Sequence, residues 1–285
     1  MKRKCWCGSQ LDYHDCHEAF DKKLKQYKKH GYLIPNHKMI KNEKQIEAIK
    51  RAAVVNNGLL DYIEEHIQIG MTTQDIDDMA VAYTSSHGGY SADLNYEGYP
   101  KSICTSVNDE VCHGIPGDYV LQDGDIINVD ATTGVNGYYA DASRMFMLGH
   151  VSEEAQRLVK VTKECLEEGM KAVKPWESTI ADIGTAIEKH AHANGYSVVE
   201  EFCGHGIGKA MHEDPYVYHY TPKEKTVLIV PGMVFTIEPM INEGKRYVFV
   251  DSANDWTIYT DDGSYSAQWE YTIAVFDDHA EVLSK

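Results

Sequence analysis

Four carboxylates and one imidazole, on Asp130, Asp141, His205, Glu238 and Glu270, constrain this chain more than any other feature. Asp130 and Asp141 stand in NVDATTGVNGYYADASRMF, His205 in CGHGIG, Glu238 in FTIEPM and Glu270 in SAQWEYTI. Runs so rich in β-branched, aromatic and glycine residues read as strands with at least one face buried. An isolated carboxylate in such surroundings costs several kcal/mol or takes up a proton, so four converging there require compensation, most simply by divalent cations. Hard oxygen donors with a single imidazole suit Mn, Fe, Co or Zn in a two-metal hydrolytic centre. Taken singly, each Asp or Glu reads as a solvated surface group and the His as a hydrogen-bonded structural residue. Their joint occurrence, in this order and context, is what favours a metal.

Local patterns indicate how the donors are displayed. Gly134-Val135-Asn136-Gly137 follows Ile126, Ile127 and Val129 and precedes Tyr138, Tyr139, Met145 and Phe146. This predicts a β-hairpin that brings Asp130 and Asp141 to one side. Glu238 ends the β-rich run from Met233 to Ile237, and Glu270 precedes the run from Tyr271 to Phe276. Both are therefore expected on rigid strands, which suit a preorganised site. His205 lies between Gly204 and Gly206, where missing side chains would allow close backbone approach to a ligand.

In this order the motifs closely resemble those of the type I methionine aminopeptidases, over roughly residues 40 to 285. The resemblance implies an α+β pita-bread fold, a curved antiparallel sheet backed by helices, in which the five residues hold two metal ions. It implies removal of the N-terminal methionine from nascent proteins and peptides, with a small second residue preferred. Three catalytic roles come with it. Glu238, itself a ligand, would also accept the proton of the attacking water; His212, in MHEDP, would stabilise the tetrahedral intermediate; His113, in VCHGIP, would orient the peptide. Tyr96, Tyr99, Cys104, Phe202, Met211 and Trp256 match or adjoin the family's methionine pocket, beside His113 and His212, and aromatic and sulfur contacts suit a thioether. Asp93 stands where a small or apolar pocket residue is usual, and either points to solvent or narrows substrate choice. X-Pro peptidases of the same fold use a similar ligand set, but the Cys112 to Pro116 string and the Tyr96 to Ser102 stretch favour the methionine enzymes. A catalytically silent ribosome-associated protein is the other alternative, and here no ligand is lost.

The beginning of the chain has a chemistry of its own. Cys5-Trp6-Cys7 and Cys16-His17 offer three thiolates and an imidazole, a complete tetrahedral zinc shell in a segment too short to fold without a staple. This arrangement resembles the SEC-C zinc motif, with Trp6 where Pro is usual and with Leu11, Asp12 and His14 where basic residues are common. Residues 1–41 carry ten Lys or Arg against four Asp or Glu, whereas the remainder carries 17 against 40. A basic arm on an acidic body suggests an anionic partner such as ribosomal RNA, although Lys22 to Lys29 read equally as a solvated helix face. The expected organisation is therefore a zinc motif with basic linker at 1–41 and a catalytic domain at 42–285.

Helix signals divide the body. Asn42 with Gln45 forms a capping-box pattern ahead of an apolar stripe running to Gly70, and a second helix is expected from Thr72 or Thr73 to residue 86. Ser152 opens a third through about Lys171, and Ser178 or Thr179 a fourth that stops near Gly195. Two helix pairs, each followed by β-rich sequence, suggest related halves. With 43% hydrophobic and 25% charged residues the chain can bury a sizeable core. No apolar run reaches membrane-spanning length, the start lacks a signal-peptide core, and seven cysteines do not form a fully paired framework. A cytoplasmic monomer is expected.

Overall fold

The computed structural model describes residues 3–285; Met1 and Lys2, the start of the basic arm, lie outside the described residues. Two short helices form the arm, α1 (Tyr13–Cys16) and α2 (Glu18–Lys29). The body has two long helix pairs, α3 (Glu43–His66) with α4 (Thr73–Ser86) and α5 (Glu153–Lys171) with α6 (Ile180–Ala193).

Every long helix begins where its capping residue predicts. Asn42 accepts from the Gln45 N–H while Gln45 returns a bond to the Asn42 N–H, and Thr72 with Asp75 and Thr179 with Asp182 close the same reciprocal box. Ser152 caps α5 through the Ala155 N–H. Such a cap contributes about 1 kcal/mol.

The two helix pairs are held in corresponding ways, although no exact repeat is visible in the sequence. Thr72, ahead of α4, forms a bridge with Val120, and Thr179, ahead of α6, forms one with Leu228. Each second helix is thus pinned by its capping threonine to a segment about fifty residues further along. The α3–α4 pair covers one apolar layer, with Leu59, Leu60, Ile63 and Ile76 against Ile127, Val129 and Phe146. The α5–α6 pair covers another, with Leu158, Leu166, Ile183 and Ile187 in one cluster with Phe235, Ile237 and Ile273.

Between them runs a nine-stranded sheet in the order Tyr90–Ser91, Ile126–Val135, Tyr138–Met147, Glu270–Val275, Val234–Ile237, Gly204–Gly206, Glu213–Val217. Cys104–Val107 joins it beside Ile126–Val135, Ala280–Ser284 joins beside Glu270–Val275, and the pairings are antiparallel. The predicted hairpin is its longest ladder, ten residue pairs from Ile126↔Met147 to Val135↔Tyr138. Asn136 and Gly137 turn it at φ 51° and 77°. Positive φ at both positions belongs to the tight hairpin turn for which Asn-Gly is the preferred pair.

The arm is packed against the body. Leu24, buried on α2, belongs to the core cluster of α5 and α6; Phe20 meets Trp176 edge-on and Tyr27 lies tilted against the same ring. Lys22, Lys25, Lys28 and Lys29 point outward and Lys23 lays its ammonium over Trp176 at 4.0 Å, so most of the charged run is the solvated face of a helix whose other face is docked.

Candidate metal centre and substrate pocket

Sheet register assembles the acidic cluster. Cys104 pairs with Asp130, Asp130 with Ser143, and Ser143 with Glu270, so these residues form one rung across four strands. Directly opposed residues project to the same face, as do residues two apart, and Asp141 therefore joins Asp130 and Glu270. Glu238 follows the strand that pairs with the other side of Glu270–Val275, where Ile237 meets Tyr271. His205 sits on Gly204–Gly206, which pairs with Val234–Ile237 through Gly206↔Phe235.

The flanking glycines serve this sheet. A Cβ at Gly204 would lie 2.5 Å from the Thr236 carbonyl oxygen, and one at Gly206 only 2.1 Å from that of Asp214. The close approach expected of them is thus to neighbouring strands, where any side chain would collide with backbone.

Hydrogen bonds fix the donors in a state ready for cations. The His205 Nδ1–H donates to the Gly206 carbonyl at 3.1 Å, leaving Nε2 with its lone pair facing Glu238 Oε1 at 3.6 Å and Asp141 Oδ2 at 3.9 Å. Thr236 Oγ1 accepts from the His205 N–H at 2.9 Å and donates to Glu238 Oε1 at 2.7 Å. Thr272 Oγ1 accepts from the Asp141 N–H and donates to the Asp141 carbonyl, and His219 Nε2 accepts the Glu238 N–H at 3.1 Å. Ligand atoms of Asp141, His205 and Glu270 lie within 4.8 Å of one another.

The electrostatics point the same way. Burial, then the negative charge of the neighbouring carboxylates, pushes Asp130 and Glu270 well above the usual carboxylate range. Burial raises Asp141 to about 6 and Glu238 to about 8, the latter against the Thr236 hydrogen bond and with help from Asp141. Burial also lowers His205 to about 3, so its imidazole is neutral. Protein groups leave the carboxylates incompletely matched: Asp141 Oδ1 and Glu270 Oε1 are buried without a hydrogen-bond partner. Unpaired carboxylate oxygens beside a free imidazole lone pair fit divalent cations well.

This cluster floors a cavity of about 440 Å³ that brings together every residue the sequence nominated for catalysis or methionine binding. Tyr96, Tyr99, Cys104, His113, Phe202, Met211, His212 and Trp256 all line it. The Tyr99 hydroxyl is shared between the carbonyls of Gly114 and Ile103 at 2.9 and 3.1 Å, and its ring meets Trp256 edge-on. His113 stands edge-on to Phe202 with ring centroids 5.5 Å apart, and burial depresses it to about 4. His212 packs on His205 at 4.2 Å, and its Nδ1 lies 2.8 Å from the Tyr96 hydroxyl. Asp93 does not point to solvent. It is buried, accepts from Thr132 N and Oγ1 at 3.0 and 3.2 Å, and adds another carboxylate to the pocket wall.

In the arm, Cys5, Cys7, Cys16 and His17 place their ligand atoms within 4.8 Å of one another. Cys16 Sγ is 3.0 Å from His17 Nδ1 and 3.6 Å from Cys7 Sγ, and Cys5 Sγ is 3.2 Å from the same imidazole nitrogen. A short hairpin holds them, through the Lys4↔Asp12 bridge and the Cys5 N–H to the Leu11 carbonyl. Trp6, unusual at its position, stacks on His37 at 3.9 Å and donates to Asp21. The tryptophan thereby clamps the motif to α2 and the linker.

Sequence reasoning missed Thr236, Thr272, Thr132 and His219, which orient the donors, and Glu97, Cys203, Tyr216 and Met240, which complete the pocket wall. Period-two alternation signalled the threonines, since Thr132 and Thr272 stand two residues from Asp130 and Glu270 and Thr236 two before Glu238. His219 had no local signal, because its only visible role is toward a backbone N–H on another segment.

Two family models match the chain: metallopeptidase family M24 over residues 47–277 and the SEC-C motif over residues 3–19. Methionine aminopeptidase A of Synechocystis sp. is 50% identical over 245 residues, 85% of this chain and 96% of that protein. A methionine aminopeptidase of Chlamydia pneumoniae is 39% identical over 289 residues, covering 100% of this chain and 99% of its own length. The crystal structure of methionine aminopeptidase from Rickettsia prowazekii superposes with a TM-score of 0.84 at 39% identity, over 86% of this chain and 99% of that one. The sheet with its two helix pairs is thus the pita-bread architecture expected from the sequence. The chain belongs to metallopeptidase family M24, a family of metal-dependent hydrolases. Within it, the chain falls among the type I methionine aminopeptidases and carries an N-terminal SEC-C motif.

Proposed function

We propose that this chain removes the N-terminal methionine from nascent proteins and peptides with a small second residue, using two divalent ions drawn from Mn, Fe, Co or Zn. Asp130, Asp141, His205, Glu238 and Glu270 would hold them. The observation that carries this reading is the meeting of a neutral imidazole with partnerless carboxylate oxygens on the floor of an aromatic, sulfur-lined cavity. Bound there, the ions would supply Lewis acidity and make water a competent nucleophile near neutral pH.

The chain's own groups supply the rest. Glu238, raised to about 8 and steadied by Thr236, is suited to take a proton from the attacking water and return it to the leaving amine. His212 would donate a hydrogen bond to the oxygen on which charge develops, and His113, held neutral by burial, would orient the peptide. Tyr96, Tyr99, Cys104, Phe202, Met211 and Trp256 would wall the methionine side chain, with Asp93 narrowing one side. Turnover of Met-Ala-Ser by the metal-reconstituted protein tests the reading, with Met-Phe-Ser and Ala-Pro beside it. Rapid cleavage of the first alone is expected, and equal cleavage of the two Met peptides would overturn the second-residue preference.

The arm completes the proposal. One structural zinc on Cys5, Cys7, Cys16 and His17 would staple it, and the outward lysines of α2 would meet ribosomal RNA as the cytoplasmic, monomeric enzyme engages nascent chains. The arm would span residues 1–41 and the catalytic body 42–285, with Ile40 and Lys41 at the joint packed on the body.

A further inference from the structure

The loop that presents His212 is gripped from outside the cavity by a buried charge pair. We propose that Lys41 and Glu213 are positioning residues for the hydrolysis, acting through His212. The inference rests on the reading of His212 as the hydrogen-bond donor to the reacting carbonyl.

Lys41 Nζ lies 2.6 Å from Glu213 Oε2, with the lysine side chain 3% exposed and the glutamate side chain 18%. The Lys41 N–H donates to the Gly232 carbonyl at 2.7 Å, so both ends of this lysine are anchored. Its aliphatic stem passes Gly208 so closely that a Cβ there would stand 3.0 Å from Lys41 Cε. The other oxygen of Glu213 accepts the N–H groups of Lys209 and Ala210 at 2.7 and 2.9 Å. One carboxylate therefore closes the turn from 209 to 213 and ties it to a segment 172 residues away. Burial alone would raise this carboxyl, but the Lys41 charge and the two N–H donors outweigh burial and hold it below its usual range.

The next residue back along the chain is His212. Its ring sits between Tyr96 and His205, with Nδ1 2.8 Å from the Tyr96 hydroxyl. On the far side of Glu213 the chain enters the strand that pairs with Gly204–Gly206, with a register shift between His205 and Gly206. The turn from 209 to 212 is thus held by the Glu213 carboxylate at one end and the imidazole contact with Tyr96 at the other. An ionised carboxylate stripped of its buried cation is driven to reach water, and the segment free to move with it carries His212 and Met211. A hydrogen-bond donor displaced by a fraction of an ångström loses much of its value to a transition state while binding of the ground state changes little.

The test is a double-variant cycle on the full chain, reconstituted with Mn or Co: Lys41→Met, Glu213→Gln, the pair together, and His212→Ala. kcat and KM for Met-Ala-Ser are measured well below each melting temperature. Lys41→Met should lower kcat by about ten- to a hundredfold with KM within about threefold, the signature of a misplaced transition-state contact. The double variant should be no worse than Lys41→Met, because the two groups act as a unit. Should Lys41→Met fail to fold, the double variant, which buries no unpaired charge, carries the same test. Unchanged kcat in the folded variants, or losses that simply add, would overturn the inference. An impaired His212→Ala beside a normal Lys41→Met would refute positioning alone, whereas a normal His212→Ala would refute the role of His212 and the inference with it.

Discussion

The two metal-type sites of this molecule are built by opposite means. The N-terminal motif draws its four donors from residues 5 to 17, closed by a short hairpin and one turn of helix. The catalytic cluster draws its five from residues 130 to 270; Asp130 and Asp141 share one hairpin, but they join His205, Glu238 and Glu270 only when strands from both halves of the fold have paired. In the first site the donors make the structure. In the second the structure makes the site, holding carboxylates that would rather be protonated beside one another. Removing a donor should therefore damage the arm in its fold and the body in its chemistry.

The sharpest break in that comparison comes from the catalytic cluster. Glu238→Gln and His205→Ala should each lower Met-peptide turnover by on the order of a thousandfold or more, for loss of a proton acceptor and of the sole imidazole donor. Circular dichroism should stay close to the parent in both; melting should be little changed in Glu238→Gln, where relieved repulsion among buried carboxylates offsets the lost contacts, and somewhat lower in His205→Ala, which leaves a buried gap. Near-parental turnover in the folded, reconstituted variants would remove these residues from the site. Collapse of the fold would erase the contrast between the sites.

Cys16→Ser tests the other side. It should lower bound zinc by about one equivalent per chain and loosen the hairpin that carries Trp6, because so short a segment depends on its metal to hold its loop closed. Tryptophan fluorescence reads the loss of the Trp6–His37 stack, and tripeptide turnover should be retained. A variant with unaltered zinc content and fluorescence would show that the four donors do not hold a metal.

How much of each site was legible follows from the same contrast. The arm's ligands were legible because their spacing is local, but the docking of α2 was not, since it turns on Leu24 and on the neighbours of Trp176 rather than on any stripe. The hairpin carrying Asp130 and Asp141 was legible from Gly134-Val135-Asn136-Gly137 and the strand-forming residues around it. The capping box at Asn42 marked its helix, while the last long helix was placed only as starting at Ser178 or Thr179. The convergence of Glu238, Glu270 and His205 was reached only through motif resemblance, because strand order is a property of the whole sheet. Nothing local announced Lys41 with Glu213, or His219 beneath Glu238.

His219 gives a smaller effect with a definite sign. Burial lowers it from 6.5 to about 3, and its Nε2 must stay unprotonated to accept the Glu238 N–H. Between those values the unfolded chain binds the proton that the folded chain refuses, so the contribution is whole above pH 6.5 and drains away as pH falls toward 3. His219→Gln can still accept the N–H but does not titrate. The variant should melt lower than the parent at pH 7, and the gap should narrow by a few kcal/mol on acidification. Parallel pH profiles would show that His219 is already charged in the folded state, contrary to its surroundings.

The smallest effect on chemistry is expected from removing the arm, and where the cut falls decides it. Ile40 bridges to Met233 and Lys41 reaches Glu213, so a truncation that removes 1–41 strips the body of a buried cation along with the arm. Removing 1–35 leaves both in place, while uncovering the surface around Trp176 and the side of the 209–214 turn that Trp6, Cys7 and Gly8 face. The shorter truncation should therefore keep tripeptide turnover within about threefold of the parent, while the longer one loses more through the turn that carries His212. Both should lose affinity for ribosomes, and with it the steep weakening in salt that follows when lysines displace counterions from phosphate. Sedimentation with purified ribosomes across a salt series, beside the peptide assay, measures the two quantities together. Ribosome binding that survives both cuts with its salt dependence intact would move docking from the arm to the acidic body. Equal turnover after the two cuts would instead separate Lys41 from the catalytic turn.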